Sequence, residues 1–196
     1  MGVPANITLF ILVCAVTLSS SSALDRPPLT AYAEFVRMSC DATKYPTLCF
    51  SALSGCTSFI RTSPRNMAMA ALNVTLVKAR LTSAFVEGMS RARSLNPREA
   101  GALRDCVELI HSATDEIKGS LSELRTINGS SFERVISDVQ TWVSAVLTDE
   151  DTCLEGFSGK GMDGEVKRQV SARVGTLART TSVALALINR YASVHG

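Results

Sequence analysis

The sequence predicts an all-α protein: an antiparallel four-helix bundle with an N-terminal helical hairpin extension, stabilised by disulfides. Three observations carry this expectation. Apolar residues recur every three or four positions through four long segments, no stretch alternates long enough to build a sheet, and widely spaced cysteines follow an apolar leader. With 46% hydrophobic and 19% charged residues the chain is too apolar for general disorder. Without its leader it fits one domain.

Residues Ile7 to Leu18 form an apolar run too short to span a bilayer comfortably, followed by Ser19 to Ser22 and Ala23. This reads as a secretory signal over residues 1–23, although no Lys or Arg precedes the apolar run. No later segment approaches about twenty uninterrupted apolar residues. The mature chain is therefore expected in an oxidising space, with no membrane association once the signal is cleaved.

Segment 24–62 reads as the hairpin extension. Thr30 to Cys40 and Pro46 to Ser54 are two short helices around the turn Thr43-Lys44-Tyr45-Pro46, with Tyr45 held extended before the proline. Helices of that length are marginal alone, and a Cys40 to Cys49 bridge would hold them together. Segment 63–196 reads as the bundle. Met67, Ala70, Val74, Val77, Leu81, Ala84 and Met89 mark its first helix, which ends before Asn96-Pro97. There Asn96 can cap the next helix, Pro97 suits its first turn, and Glu99 sits where a capping box needs it.

The second helix runs through Leu103, Cys106, Ile110, Ala113, Ile117, Leu121 and Leu124 until Asn128-Gly129-Ser130 breaks the pattern. Phe132, Val135, Val139, Trp142 and Val146 mark a third helix, expected to stop in the acidic turn Asp149-Glu150-Asp151. Four glycines between Gly156 and Gly164 make a loop, and Val166, Val170, Val174, Leu177, Ala184 and Ile188 mark the last helix, with Thr181 as its polar interruption. Each apolar stripe needs a neighbour, and a four-helix bundle with short connections supplies one.

Removing the leader also removes Cys14 and leaves an odd set: Cys40, Cys49, Cys56, Cys106 and Cys153. The sequence alone does not fix their connectivity. The expectation is a short Cys40/Cys49 pair, a long Cys106/Cys153 pair, and a free thiol at Cys56, either buried and inert or open to pairing with another chain or to a redox event. No metal site is expected, since there is no Cys-x-x-Cys pair and the only histidines are His111 and His195. The formal charge of +2 is spread among interspersed acids and bases, which argues against nucleic-acid binding.

Catalysis has little residue support. His111 reads as a bundle-edge histidine and His195 belongs to a terminus. Asp115-Glu116 and the Asp149 cluster read as solvated or helix-ending acids, without the alternating oxygens and internal glycine of a calcium loop. No phosphate-binding glycine motif opens a helix, so no cofactor and no enzymatic activity are expected. A bundle holding an apolar ligand is hinted at only by Met67, Met69, Phe85 and Met89, which are ordinary core residues at helical spacing. What remains is a surface for a protein partner.

Two stretches make that surface specific. Leu103-Arg104-Asp105-Cys106-Val107-Glu108-Leu109, followed by Ala113-Thr114-Asp115-Glu116-Ile117, and the run from Val139 through Trp142 to Asp149-Glu150-Asp151-Thr152-Cys153-Leu154-Glu155-Gly156-Phe157 closely resemble plant pectin methylesterase inhibitors. Cys40 with Tyr45-Pro46-Thr47-Leu48-Cys49 resembles that family's N-terminal hairpin. The resemblance implies a secreted protein of the cell wall, or apoplast, that binds pectin methylesterase one to one and covers its substrate cleft. Others of the superfamily inhibit cell-wall or vacuolar invertase, and some precede an esterase domain. The invertase branch is associated with a Pro-Lys-Phe tripeptide that this sequence lacks, so the esterase is the expected target and invertase the alternative. Carried over by position, the partner-binding residues are Glu108, Thr152 and Glu155, with Asp149 counted beside them. A Cys106 to Cys153 bridge would gather them into a small acidic, hydroxyl-bearing patch.

Sequons at Asn73-Val74-Thr75 and Asn128-Gly129-Ser130 make both asparagines candidate glycosylation sites, the second in a loop and the better placed. Asn6-Ile7-Thr8 falls in the leader and is discounted.

Overall fold

A computed structural model describes residues 29–195, and these are helical with short connections and no strand. The expected signal segment, its cleavage site and the Asn6 sequon lie outside the described residues. The hairpin forms from α1 (Leu29–Asp41) and α2 (Pro46–Leu53). Thr43 turns the chain between them, its amide and hydroxyl both donating to the Cys40 carbonyl at 2.9 and 2.8 Å. Pro46 opens α2 and Tyr45 is extended before it, as steric conflict with the proline ring requires. The Cys40–Cys49 disulfide crosses this turn with Cα atoms 5.4 Å apart.

A 3-10 turn (Ser54–Cys56) and the short α3 (Thr57–Ile60) lead to the bundle. Cys56 departs from expectation. Its sulfur is in a disulfide, and no described cysteine is free. The expectation of a free thiol rested on the odd count of the five cysteines that follow residue 23.

The bundle consists of α4 (Pro64–Ser90), α5 (Pro97–Thr126), α6 (Phe132–Glu155) and α7 (Glu165–Ser193). Helices adjacent in sequence pack on one another, and α4 closes the square against α7. Leu72, Leu103, Ile110, Ile117, Leu124, Leu177 and Ile188 fill the interior with essentially no exposed surface. By length and hydropathy α4 could cross a bilayer, but half of its most apolar stretch is spent inside the bundle. The hairpin joins the same core through Val36, Leu53 and Ile60. Met67 is buried there too, and Met69, Phe85 and Met89 pack against the core.

Local sequence sets the joints. Asn96 Oδ1 accepts the Arg98 and Glu99 amides, both at 2.9 Å, while Glu99 Oε2 accepts the Asn96 amide at 3.0 Å, completing the capping box. At the other end of α5, Arg65 donates to the Leu124 carbonyl at 3.0 and 2.7 Å and to that of Arg125 at 3.0 Å, satisfying oxygens that a helix end leaves open. Gly119 lets α5 and α6 close together, since a Cβ there would stand 3.3 Å from the Trp142 ring. The glycine-rich loop after α6 is pinned by the buried Phe157 and Met162.

One element is longer than its sequence predicts. Helix α6 does not stop at Asp149-Glu150-Asp151 but runs through it to Glu155. The reason is that Glu150 continues the inward stripe of Val139, Val143 and Val146 and is completely buried.

Candidate functional site

Helices α5 and α6 are locked at one end by the Cys106–Cys153 disulfide, whose Cα atoms are 4.6 Å apart. Both cysteines face the core, with 0% and 1% of their surface exposed. A helix turns about 100° per residue, so a residue two positions from an inward cysteine points outward. Glu108 and Glu155 each stand at that offset, and both are exposed. Thr152 is exposed as well, its hydroxyl donating to the Thr148 carbonyl at 2.7 Å.

The bridge therefore sets these three residues at one level of the bundle. They form the outward crests of two neighbouring helices and not a closed pocket. Such a surface offers carboxylates and a hydroxyl to a concave partner on a backbone that cannot slide in register.

Asp149 has a different setting. It is half-buried at the α5/α6 seam, where its Oδ2 is enclosed without a hydrogen-bond partner. Glu116 faces it from α5 with its own Oε2 enclosed, and burial followed by the Asp149 charge pushes the Glu116 carboxyl up. Behind them Glu150 lies in the core. The Thr181 hydroxyl of α7 donates to its Oε1 at 2.7 Å, and its Oε2 has no partner. Burial pushes its pKa up from 4.5 to about 8; Thr181 opposes that rise, and the charges of Asp151 and Asp149 add to it. At acidic pH this group is a neutral carboxylic acid. Sequence reasoning missed it, although two polar interruptions in facing apolar stripes, Glu150 and Thr181, were a usable signal.

A groove of about 390 Å³ between α4 and α5 brings together Ser83, Glu87 and His111. His111 Nε2 lies 2.8 Å from Glu87 Oε1, the Ser83 hydroxyl donates to the same oxygen at 3.1 Å, and Arg91 reaches Glu87 Oε2 at 3.2 Å. These contacts hold the Glu87 carboxyl below its ordinary range, with the His111 bond the largest cause and the Ser83 bond next. The carboxylate stands between hydroxyl and imidazole, so the ring does not accept the serine proton as a nucleophile's base must. The cluster ties α4 to α5. His195 closes an aromatic group with Phe132 and Tyr191, its ring centroid 5.4 and 4.8 Å from theirs. Among the described residues no three metal-ligating side chains converge.

Comparison with known proteins agrees with this architecture. The family model for the plant invertase/pectin methylesterase inhibitor matches residues 34–187. Pectinesterase inhibitor 11 of Arabidopsis thaliana is 44% identical over 190 residues, covering 94% of each chain. The 21 kDa protein of Daucus carota is 39% identical over 83% of this chain and 86% of its own. A crystal structure of a mutant form of a pectin methylesterase inhibitor from Arabidopsis superposes with a TM-score of 0.62 over 80% of this chain and 95% of that one; at 23% identity it speaks for the fold alone.

Proposed function

This chain belongs to the plant invertase/pectin methylesterase inhibitor family, and we propose that it inhibits pectin methylesterase by covering the enzyme's pectin-binding cleft in a one-to-one complex. The observation that carries this reading is the 44% identity to a pectinesterase inhibitor along almost the whole of both chains. The mechanism is occlusion. A bundle end fixed by Cys106–Cys153 presents Glu108, Thr152 and Glu155 outward, where they can meet hydroxyl and amide donors along a sugar-binding groove while the bundle excludes the polymer. A stable contact of this kind buries about 1,600 Å² in total.

Asp149 serves this surface from behind, through the α5/α6 seam, and not by direct contact. The chain acts after secretion, in the cell wall, where its target works and where an oxidising milieu keeps the disulfides formed. Invertase is not favoured as target, since the relatives whose names state one name pectinesterase. The test is titration of purified mature protein against pectin methylesterase and, separately, cell-wall invertase. Stoichiometric loss of pectin de-esterification with invertase untouched is expected. An esterase unaffected at saturating inhibitor would end this reading, and inhibition of invertase alone would replace it.

A further inference from the structure

We propose that Asn128 carries an N-linked glycan at the end of the bundle remote from the outward carboxylates, and that Asn73 stays bare. The inference rests on the reading that the chain enters the secretory pathway. Asn128 is exposed in the connection between α5 and α6 and starts the 3-10 turn Gly129–Ser131. Its Oδ1 does the capping, accepting the Ser130 hydroxyl at 2.8 Å and the Ser131 amide at 3.2 Å. Its Nδ2, the atom that takes the sugar, makes no hydrogen bond among the described residues. A glycan on Nδ2 leaves the cap intact.

Asn73 is the contrast. Its Nδ2 donates to the Met69 carbonyl at 2.7 Å within α4, and its sequon partner Thr75 is fully buried with its hydroxyl bonded to Ala71 at 2.9 Å. Sugar there would sit beside the stripe that closes the bundle. At Asn128 the surroundings are instead receptive. A cleft of about 460 Å³ opens beside it, lined by Arg65, Phe132, Glu133, Tyr191 and His195. Phe132 and Tyr191 meet edge to face at 5.4 Å, and the His195 ring stacks on Phe132. Phe132 and the buried Tyr191 hold the exposed His195 ring in place, its ring suits the C–H side of a sugar, and Arg65 and Glu133 suit the sugar's hydroxyl and amide groups.

Position makes the glycan compatible with inhibition. From Glu108 to the end of α5 at Thr126 the helix rises about 27 Å, at about 1.5 Å per residue. In the attachment step Nδ2 bonds to the anomeric carbon of a lipid-diphosphate-linked oligosaccharide. The bond from that carbon to the diphosphate oxygen breaks, the lipid diphosphate leaves with the electron pair, and a base of the transferase takes one amide proton.

The test is expression of the full chain in plant cells, recovery from medium and cells, and glycosidase release in heavy-oxygen water, which labels each formerly linked asparagine. One glycan at Asn128 is expected, lost in Asn128→Gln and also in Ser130→Ala, which keeps the cap residue, and retained in Asn73→Gln. Removing it should leave the inhibitory titre unchanged. Bare Asn128 in secreted material, or a glycan mapped to Asn73, overturns the proposal while leaving secretion standing. A chain retained unglycosylated in the cytosol overturns both.

Discussion

Glu150 and Glu155 are five positions apart on α6, and they live in different solvents. Glu150 is fully buried, the one hydrogen bond of its carboxyl coming from Thr181, whereas Glu155 stands in water beyond the disulfide. The inner carboxyl responds to pH because no solvent shares its charge; the outer one is available to a partner because nothing inside the molecule claims it. One helix thus separates the two tasks by face: its interior fixes how the bundle stands, and its exterior offers chemistry.

The largest effect that would break this contrast is on stability against pH. A carboxyl whose folded pKa lies above its unfolded value keeps its proton in the folded state after the unfolded chain has lost it. Stability is then fullest below the unfolded value near 4.5 and declines as pH rises toward about 8. At about 1.4 kcal/mol per unit, the shift from 4.5 to about 8 corresponds to a decline on the order of 5 kcal/mol. Glu116, also raised, acts in the same direction, while the lowered Glu87 contributes stability that is lost only as pH falls below about 4.5, outside this window. Urea denaturation midpoints across this range should fall with pH in the parent and fall much less in Glu150→Gln, which keeps an acceptor for Thr181 and leaves only Glu116 acting in this direction. Parallel slopes in the two proteins would mean that Glu150 does not hold its proton.

Next in size is the tie between the two helices that carry the outer face. Cys106 and Cys153 are 47 residues apart, and in the chain-entropy model closing such a loop stabilises by about 4 kcal/mol. The double variant Cys106→Ser/Cys153→Ser should lose about that much in denaturant unfolding. The hairpin bridge spans only 9 residues, and its removal should cost nearer 2.5 kcal/mol. Equal losses from both pairs would show that loop closure is not what the long bridge contributes.

Much of this was legible because it is local. Asn96, Pro97 and Glu99 announce a helix start by their own hydrogen-bonding capacity, and the capping box forms as they predict. Apolar spacing placed four helices, and antiparallel packing followed from short connections. The acidic triplet misleads because three consecutive charges look solvated, and only the stripe from Val139 to Cys153 shows that the middle one must turn inward. Even then its partner Thr181 lies 31 residues away on another helix, a pairing that no local pattern reveals. The outward residues were identifiable by resemblance. Their arrangement as two crests was not, since it depends on both cysteines facing the core.

The smallest effect sharpens the contrast from the outside. Glu108→Ala and Glu155→Ala remove exposed carboxylates, so thermal unfolding should move by less than about 0.5 kcal/mol in either variant. Inhibition should weaken, by about tenfold for a residue central to the contact, equivalent to about 1.4 kcal/mol. Glu155→Asp separates charge from reach: it keeps the carboxylate and shortens the side chain by one methylene, so recovery of inhibition would show that the groove tolerates either length. Dose–response curves against pectin methylesterase, read beside the unfolding data, distinguish the faces of α6. Variants that lose stability without losing potency belong to the inner one, and variants that lose potency at unchanged stability belong to the outer. If Glu108→Ala and Glu155→Ala both inhibit like the parent, the contact lies elsewhere on the bundle and the outward crests are only its solvated surface.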